Sequence, residues 1–183
     1  FSLVRRAQRI DALNGAGIHA EGSLGLGWSA FARGKTSQAV ELFNEALSTA
    51  LATAQTNVHG AAMPDMLVES VPADARLGLG LVALGRGKGA EAARLLESAG
   101  TGPDVLSSPK ELFLALGDAR AQAGDARLAL AAWAQVPKRA SRFPGDAPRD
   151  EQARLKSAKL LEQGGDHSGA QALYAELSGG KHY

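Results

Sequence analysis

Apolar residues recur every three or four positions along most of the chain, which is the spacing of one face of an α-helix. The first such run lies within residues 1–14 and is ended by Asn14-Gly15. The pattern therefore predicts an amphipathic N-terminal helix, a short break over residues 16–21, and a series of further helices separated by glycine turns.

Downstream of residue 20 the pattern predicts four helical hairpins, each made of a helix A and a helix B. They are placed at about residues 20–54, 72–99, 108–136 and 148–178. Residues 57–71 interrupt the pattern as an irregular insertion. Pro72 is then expected in the first helical turn, where a missing N–H costs nothing, and residues 179–183 are expected to fray.

The third hairpin carries recognisable helix ends. Ser108 precedes Pro109 and is followed three residues later by Glu111, which predicts a capping box. Gly124 is expected to take the left-handed conformation that ends helix A, and Asp125 is expected to cap helix B.

The four hairpins share one register, set by the turn glycines Gly34, Gly87, Gly124 and Gly165. Seven residues before the turn, helix A has a small residue in every copy, and these are Gly27, Gly80, Gly117 and Ala158. The turn glycines are 53, 37 and 41 residues apart, so the copies are related but unequal in length.

Helix B repeats the same kind of pattern after each turn. Five residues past the glycine stand alanines, and these are Ala39, Ala92, Ala129 and Ala170. Nine residues past it stand large side chains, Phe43, Leu96, Trp133 and Tyr174, and twelve past it stand Ala46, Ala99, Val136 and Leu177. Small residues in helix A opposite large ones in helix B predict a close approach of the two helices.

This arrangement resembles the tetratricopeptide repeat, which has small residues in mid helix A, glycine at the turn, and small-x₃-aromatic in helix B. The likeness covers roughly residues 20–178 and is clearest in the first copy. It departs from the family in its longer period, since the family repeats every 34 or so residues. The family's early tryptophan is also missing, and its mid-helix aromatic is replaced by Ala30, Ala83, Arg120 and Leu161.

The resemblance implies an all-α fold, a right-handed α-solenoid of about four antiparallel helix pairs plus the N-terminal helix, as a single array across residues 1–183. Each hairpin would bury its apolar face only by stacking on its neighbours. A different helical-hairpin solenoid is the alternative.

In tetratricopeptide proteins the A helices line a concave groove that holds a partner. The resemblance places ten side chains there: Leu24, Trp28, Phe31, Leu77, Leu81, Leu84, Leu114, Asp118, Gln122 and Lys159. Leu155 and Gln163 occupy equivalent positions of the fourth hairpin. Such a groove suits an amphipathic helix or an extended peptide. Trp28 and Phe31 are expected to contribute most to binding, unless the N-terminal helix covers them and makes them core.

Composition limits the kind of fold, the partners and the covalent chemistry. Hydrophobic residues make up 45% of the 183 residues but aromatic ones only 5%, which favours closely packed Ala- and Leu-rich helices. A net charge of +1 gives no general attraction for nucleic acid. The absence of cysteine excludes disulfides and thiolate chemistry, and leaves cytosol, periplasm and organelle open as compartments.

The sequence contains no run of about 18–20 apolar residues, so no transmembrane helix is predicted. Because the chain begins with Phe1 rather than methionine, we expect a processed protein or a fragment whose targeting segment is not in view.

Several motifs could indicate a catalytic, cofactor or metal site, but each lacks the flanking structure or the residue spacing that such a site requires. Gly25–Ala30 and Gly78–Ala83 match G-x-G-x-x-A, but neither follows a strand, and both fall at the same place in helix A. Gly34-Lys35-Thr36 lacks the glycine that a phosphate loop needs at the position of Ser29. The four histidines are scattered, at His19, His59, His167 and His182. No catalytic residue, cofactor or metal is therefore predicted.

The C-terminal third is locally basic. A candidate patch for an acidic partner consists of Lys138, Arg139, Arg142 and Arg149, and Arg154, Lys156 and Lys159 follow it. A solvated helix face is the alternative. Aromatic residues do not alternate with these charges as in a base-stacking surface, so nucleic acid is not a predicted partner.

The sequence thus predicts a non-enzymatic scaffold that binds another protein or peptide and helps to assemble or stabilise a larger complex. The groove or the convex face would be its interface. The alternative is a regulatory or cargo-recognition domain cut from a longer multidomain protein.

Overall fold

The computed structural model describes residues 2–57, 66–100, 108–138 and 147–179. These residues form eight α-helices and one 3₁₀ turn at Val136–Lys138, with no strand among them, so the all-α prediction is confirmed. The helices are α1 Ser2–Ala32, α2 Thr36–Asn57, α3 Met66–Gly85, α4 Gly89–Gly100, α5 Pro109–Gln122, α6 Ala126–Trp133, α7 Ala147–Gln163 and α8 His167–Gly179. None of the helices described is long and apolar enough to cross a membrane.

The predicted turn glycines join α1 to α2, α3 to α4, α5 to α6 and α7 to α8. Gly34, Gly87, Gly124 and Gly165 have φ angles of 72°, 77°, 85° and 86°, and no other described residue has a positive φ. In the first turn the N–H of Gly34 donates to the Phe31 carbonyl and that of Lys35 to the Ala30 carbonyl, both at 2.9 Å. The other three turns repeat this pair of bonds, which satisfies the last carbonyls of helix A in a Schellman motif.

Helix α1 corrects the prediction for the N-terminus. It runs without interruption for 31 residues, so the expected end at Asn14-Gly15 and the break over residues 16–21 are wrong. There is no separate N-terminal helix beside the first hairpin. A single glycine weakens a helix by only about 0.5–1 kcal/mol, which is too little to end a helix that packs along a neighbour.

Helix α3 corrects the prediction for the second hairpin. It begins at Met66, so Pro72 lies inside it rather than in its first turn, and part of the predicted insertion is helical. Val71 and Ala75, on either side of the proline, are buried in the core. Their burial favours the helix across a residue that would otherwise interrupt it.

The two predicted caps of the third hairpin have different outcomes. Helix α5 begins at Pro109, but the hydroxyl of Ser108 is buried without a hydrogen-bond partner and Glu111 binds Arg149 instead, so the capping box is wrong. Asp125 caps α6 as predicted, because its Oδ1 accepts the backbone N–H of Leu128 at 3.0 Å.

The chain divides into two compact units, residues 1–82 with 95–107 and residues 83–94 with 108–183. In the first unit the core is built around Phe43, which is fully buried. A Cβ atom on Gly27 of α1 would lie 2.7 Å from its ring, and one on Gly78 of α3 would lie 2.5 Å from it. The ring therefore occupies a slot between two helices that only glycine leaves wide enough.

The same close contact recurs in the next two hairpins. A Cβ on Gly80 would lie 2.6 Å from Leu96 in the first unit. In the second unit a Cβ on Gly117 would overlap the Trp133 ring, which packs with Leu114 and Val136. The predicted close approach of helices A and B is confirmed in all three.

The fourth hairpin shows what changes without the glycine. Ala158 takes the small position, and the large residue of helix B, Tyr174, is only half-buried. Its hydroxyl donates to Glu162 at 3.1 Å. Partial desolvation, this hydrogen bond and the negative charge of Glu162 together raise the pKa of Tyr174.

Replacing Gly27 with alanine should lower the free energy of unfolding by about 1–3 kcal/mol, because the new methyl group overlaps the Phe43 ring. Gly25 lies two residues earlier in α1, with no atom within 4 Å of its Cβ position. Gly25→Ala should therefore raise the free energy of unfolding by about 0.5–1 kcal/mol. Urea unfolding followed by circular dichroism measures both, and effects of equal sign would contradict the packing role of Gly27.

Stability should also depend on pH through Asp166, the N-cap of α8. Its Oδ1 accepts the Gly169 N–H and the Ser168 hydroxyl, both at 2.9 Å. These bonds, the Gly169 bond first, lower the pKa of Asp166 below its ordinary 3.8.

Because the folded pKa lies below the unfolded one, the charged cap stabilises the protein above about pH 4, and this stability is lost as the pH falls through the folded pKa. Wild type should be more stable than Asp166→Asn at neutral pH, and the difference should shrink toward pH 2. Melting temperatures recorded across this range test the expectation, and a constant difference would refute it.

Candidate partner-binding site

A concavity of about 430 Å³ opens on the second unit. It is lined by nine residues: Leu84, Asp118, Ala121, Gln122, Trp133, Lys156, Lys159, Leu160 and Gln163. Apart from Trp133 on α6, they come from the C-terminal halves of three successive A helices, α3, α5 and α7. We call it the A-helix concavity.

Helices α5 and α7 are joined by ion pairs along their length. The pairs are Lys110 with Asp150, Glu111 with Arg149, and Asp118 with Lys156. Residue numbers rise along both helices from the first two pairs to the third, so the helices run in the same direction. Their last turns therefore lie at the same end, where the concavity is found.

The first of these pairs is the most deeply buried. Lys110 Nζ donates to both oxygens of Asp150, at 2.7 and 2.9 Å, and the lysine side chain is only 3% exposed. A buried ammonium group is tolerated only when paired, so this contact fixes α7 against the start of α5.

Asp118 is the third link and lies in the concavity itself. The indole N–H of Trp133 donates to its Oδ1 at 3.1 Å and to the carbonyl of Leu114 at 3.2 Å. Lys156 Nζ lies 2.9 Å from Oδ1 and 3.0 Å from Oδ2. Both carboxylate oxygens are therefore engaged, and the charge of Asp118 is offset from within the protein.

The remaining polar lining is available to a ligand. Lys159 and Gln163 are exposed, and Lys159 makes no ion pair or hydrogen bond within the described part of the chain. Gln122 is also exposed, and its Nε2 only approaches the Leu84 carbonyl at 3.5 Å. Leu84 and Leu160 add apolar surface beside them.

The structure brings together four of the ten predicted groove residues. Leu84, Asp118, Gln122 and Lys159 all line the concavity, and Gln163 joins them. Leu77 and Leu114 are buried and have almost no surface to offer a partner. Leu81 is half-buried, and Leu155 is 39% exposed.

The other predicted groove residues belong to the first unit. Leu24, Trp28 and Phe31 are half-buried and pack against the core cluster that contains Phe43. The Trp28 ring lies edge-on to Phe43 at 5.1 Å and to Phe31 at 6.0 Å. The N-terminal part of the chain does not fold back as a separate helix to cover them, because it continues the same helix.

The predicted basic patch is only partly described. Arg149 binds Glu111 within the chain, so much of its charge is offset. Arg139 and Arg142 lie outside the described residues, as does the side chain of Lys138.

Sequence reasoning missed four lining residues: Ala121, Trp133, Lys156 and Leu160. The pattern predicts that Trp133 packs against Gly117, which it does, and Trp133 also lines the concavity. Lys156 could have been found from its spacing, since it precedes its turn glycine by nine residues, as Gly78 does in the second hairpin. Gly78 lies beside Phe43 of the preceding hairpin, and Lys156 shares Asp118 Oδ1 with Trp133 of the preceding hairpin.

Within the described ranges, no three histidine, aspartate or glutamate side chains gather as a metal site would require. The chain matches no protein-family model, and no curated protein or solved structure matches it. Its function is therefore inferred from the chemistry of the residues.

Asp150→Ala should lower the free energy of unfolding by about 3 kcal/mol, because it leaves the ammonium group of Lys110 buried and unpaired. Glu111→Ala in the neighbouring, more exposed pair should cost less than about 1 kcal/mol. Urea unfolding of the two variants measures the contrast. Equal losses would show that burial of Lys110 does not govern the contact between α5 and α7.

Proposed function

We propose that this protein is a non-enzymatic interaction scaffold of the tetratricopeptide type, which helps to assemble or stabilise a larger complex. The observation that carries the proposal is the convergence of three successive A helices on one concavity. Side chains from several repeats then contact one ligand, as an extended partner requires.

Support for the repeat architecture comes from the shared register. Four turns have the same glycine conformation and the same two hydrogen bonds, and three of them have the same glycine-to-large-residue contact. Parallel packing of α5 and α7 is the contact expected between neighbouring A helices of a solenoid. On this basis we propose a right-handed solenoid of about four antiparallel helix pairs.

The polar groups that line the concavity favour binding over catalysis, because their carboxylate is already hydrogen-bonded within the protein. Asp118 is the one carboxylate among the nine lining residues, and it is held by Trp133 and Lys156. A general acid or base has to exchange protons with a substrate, which this arrangement hinders. The exposed groups, Lys159, Gln122 and Gln163, are of the kind that orient a peptide by hydrogen bonds.

The double variant Gln122→Ala/Lys159→Ala should bind fewer partner proteins, because it removes two polar groups from the lining of the concavity. Both side chains are exposed and contribute little to folding, so the variant should stay folded. Immobilised wild type and variant would be incubated with extract of the source organism, and the retained proteins quantified by mass spectrometry. We expect at least fivefold less of the specific partners on the variant, roughly 1 kcal/mol of binding energy.

Gln38→Ala/Lys35→Ala is the matched control, since it removes an exposed lysine and glutamine at the start of α2. Circular dichroism would verify that all three proteins are equally helical. A set of bound proteins that is the same for all three would refute the concavity as the interface.

A further inference from the structure

The basic residues of α7 differ in whether the protein itself neutralises them. Arg149 binds Glu111, Arg154 lies 3.7 Å from Glu176, and Lys156 binds Asp118. Lys159 is the remaining cation on this helix, and it has no acidic partner within the described part of the chain. On α7 the ion pairs thus leave one cation without an acidic partner among the described residues, and it lies in the A-helix concavity.

The surroundings of Lys159 determine what this charge can bind. Asp118 does not compete for it, since Trp133 and Lys156 already occupy both of its oxygens. The side-chain amides of Gln122 and Gln163 can donate further hydrogen bonds to an oxygen ligand. A single ammonium group with two amide donors suits one carboxylate.

The concavity also has an apolar part, formed by Leu84 and Leu160. An apolar side chain next to the carboxylate would be removed from water there, which adds binding energy that the exposed charge pair alone lacks. The concavity is open rather than enclosed and Lys159 is exposed, so a side chain in the middle of a segment can reach it.

We propose that the A-helix concavity binds a protein segment through one internal acidic side chain, whose carboxylate pairs with Lys159, next to an apolar side chain on Leu84 and Leu160. This inference rests on the proposed interaction function and specifies the ligand. It assigns recognition of an acidic side chain to Lys159. Of the predicted basic patch, Arg149 is the member whose side chain is described, and it binds Glu111.

The probes are two blocked pentapeptides, acetyl-Ala-Leu-Glu-Leu-Ala-amide and the same peptide with Gln in place of Glu. Their binding would be followed in the full chain by the NMR signal of the Trp133 indole N–H, assigned with Trp133→Phe. We expect the Glu peptide to bind wild type about three- to tenfold more tightly than the Gln peptide. The preference should weaken at high salt.

Lys159→Gln should abolish the preference, while Lys35→Gln, an exposed lysine of the first unit, should retain it. Equal binding of the two peptides to wild type, or a preference that survives Lys159→Gln, would overturn the inference. So would tighter binding of a Gln peptide with a free C-terminal carboxylate, which would assign Lys159 to a chain end.

These outcomes are separable from failure of the proposed function. If the Gln peptide shifts the Trp133 signal as strongly as the Glu peptide, the concavity binds peptides without distinguishing their charge. The inference is then overturned and the scaffold proposal stands. If neither peptide shifts it, the inference is overturned, and the capture experiment with extract decides the scaffold proposal independently.

Discussion

The contact between a glycine of helix A and a large side chain of helix B is the constraint on which the rest of the structure depends. Gly27 with Phe43 and Gly117 with Trp133 are so close that no Cβ atom fits between them. The contact sets how near the two helices of a hairpin lie. Because Phe43 also fills the space beside Gly78, the same ring joins the first hairpin to the helix that follows it.

The candidate site is an extension of this packing. Trp133 is fixed on one side by Gly117, and its indole N–H is thereby directed at Asp118 and the Leu114 carbonyl. Asp118 in turn holds Lys156 on the next hairpin. A chain of contacts therefore leads from a core glycine to the lining of the concavity, and exposed side chains such as Lys159 project from a surface that packing holds in place.

The turns and the close contacts could be predicted because they depend on local sterics: a left-handed residue requires glycine, and a large side chain in a narrow slot requires a small one opposite. The starts of α1 and α3 could not. In α3 the burial of Val71 overrode the local signal of Pro72, and in α1 a glycine such as Gly15 costs too little to end the helix. The ion pairs between α5 and α7 were also out of reach. They depend on how two successive hairpins pack on each other, and neither hairpin's own pattern contains that information.

One register position has different roles in different hairpins. Six residues before the turn glycine stand Trp28, Leu81, Asp118 and Lys159 in the four hairpins. Trp28 completes a core, and Asp118 accepts a hydrogen bond from the following hairpin, so both are used to hold helices together. Lys159 occupies the same position without such a contact among the described residues. A position that serves packing in two repeats is thereby free of that role in another, which the proposed binding role of Lys159 requires.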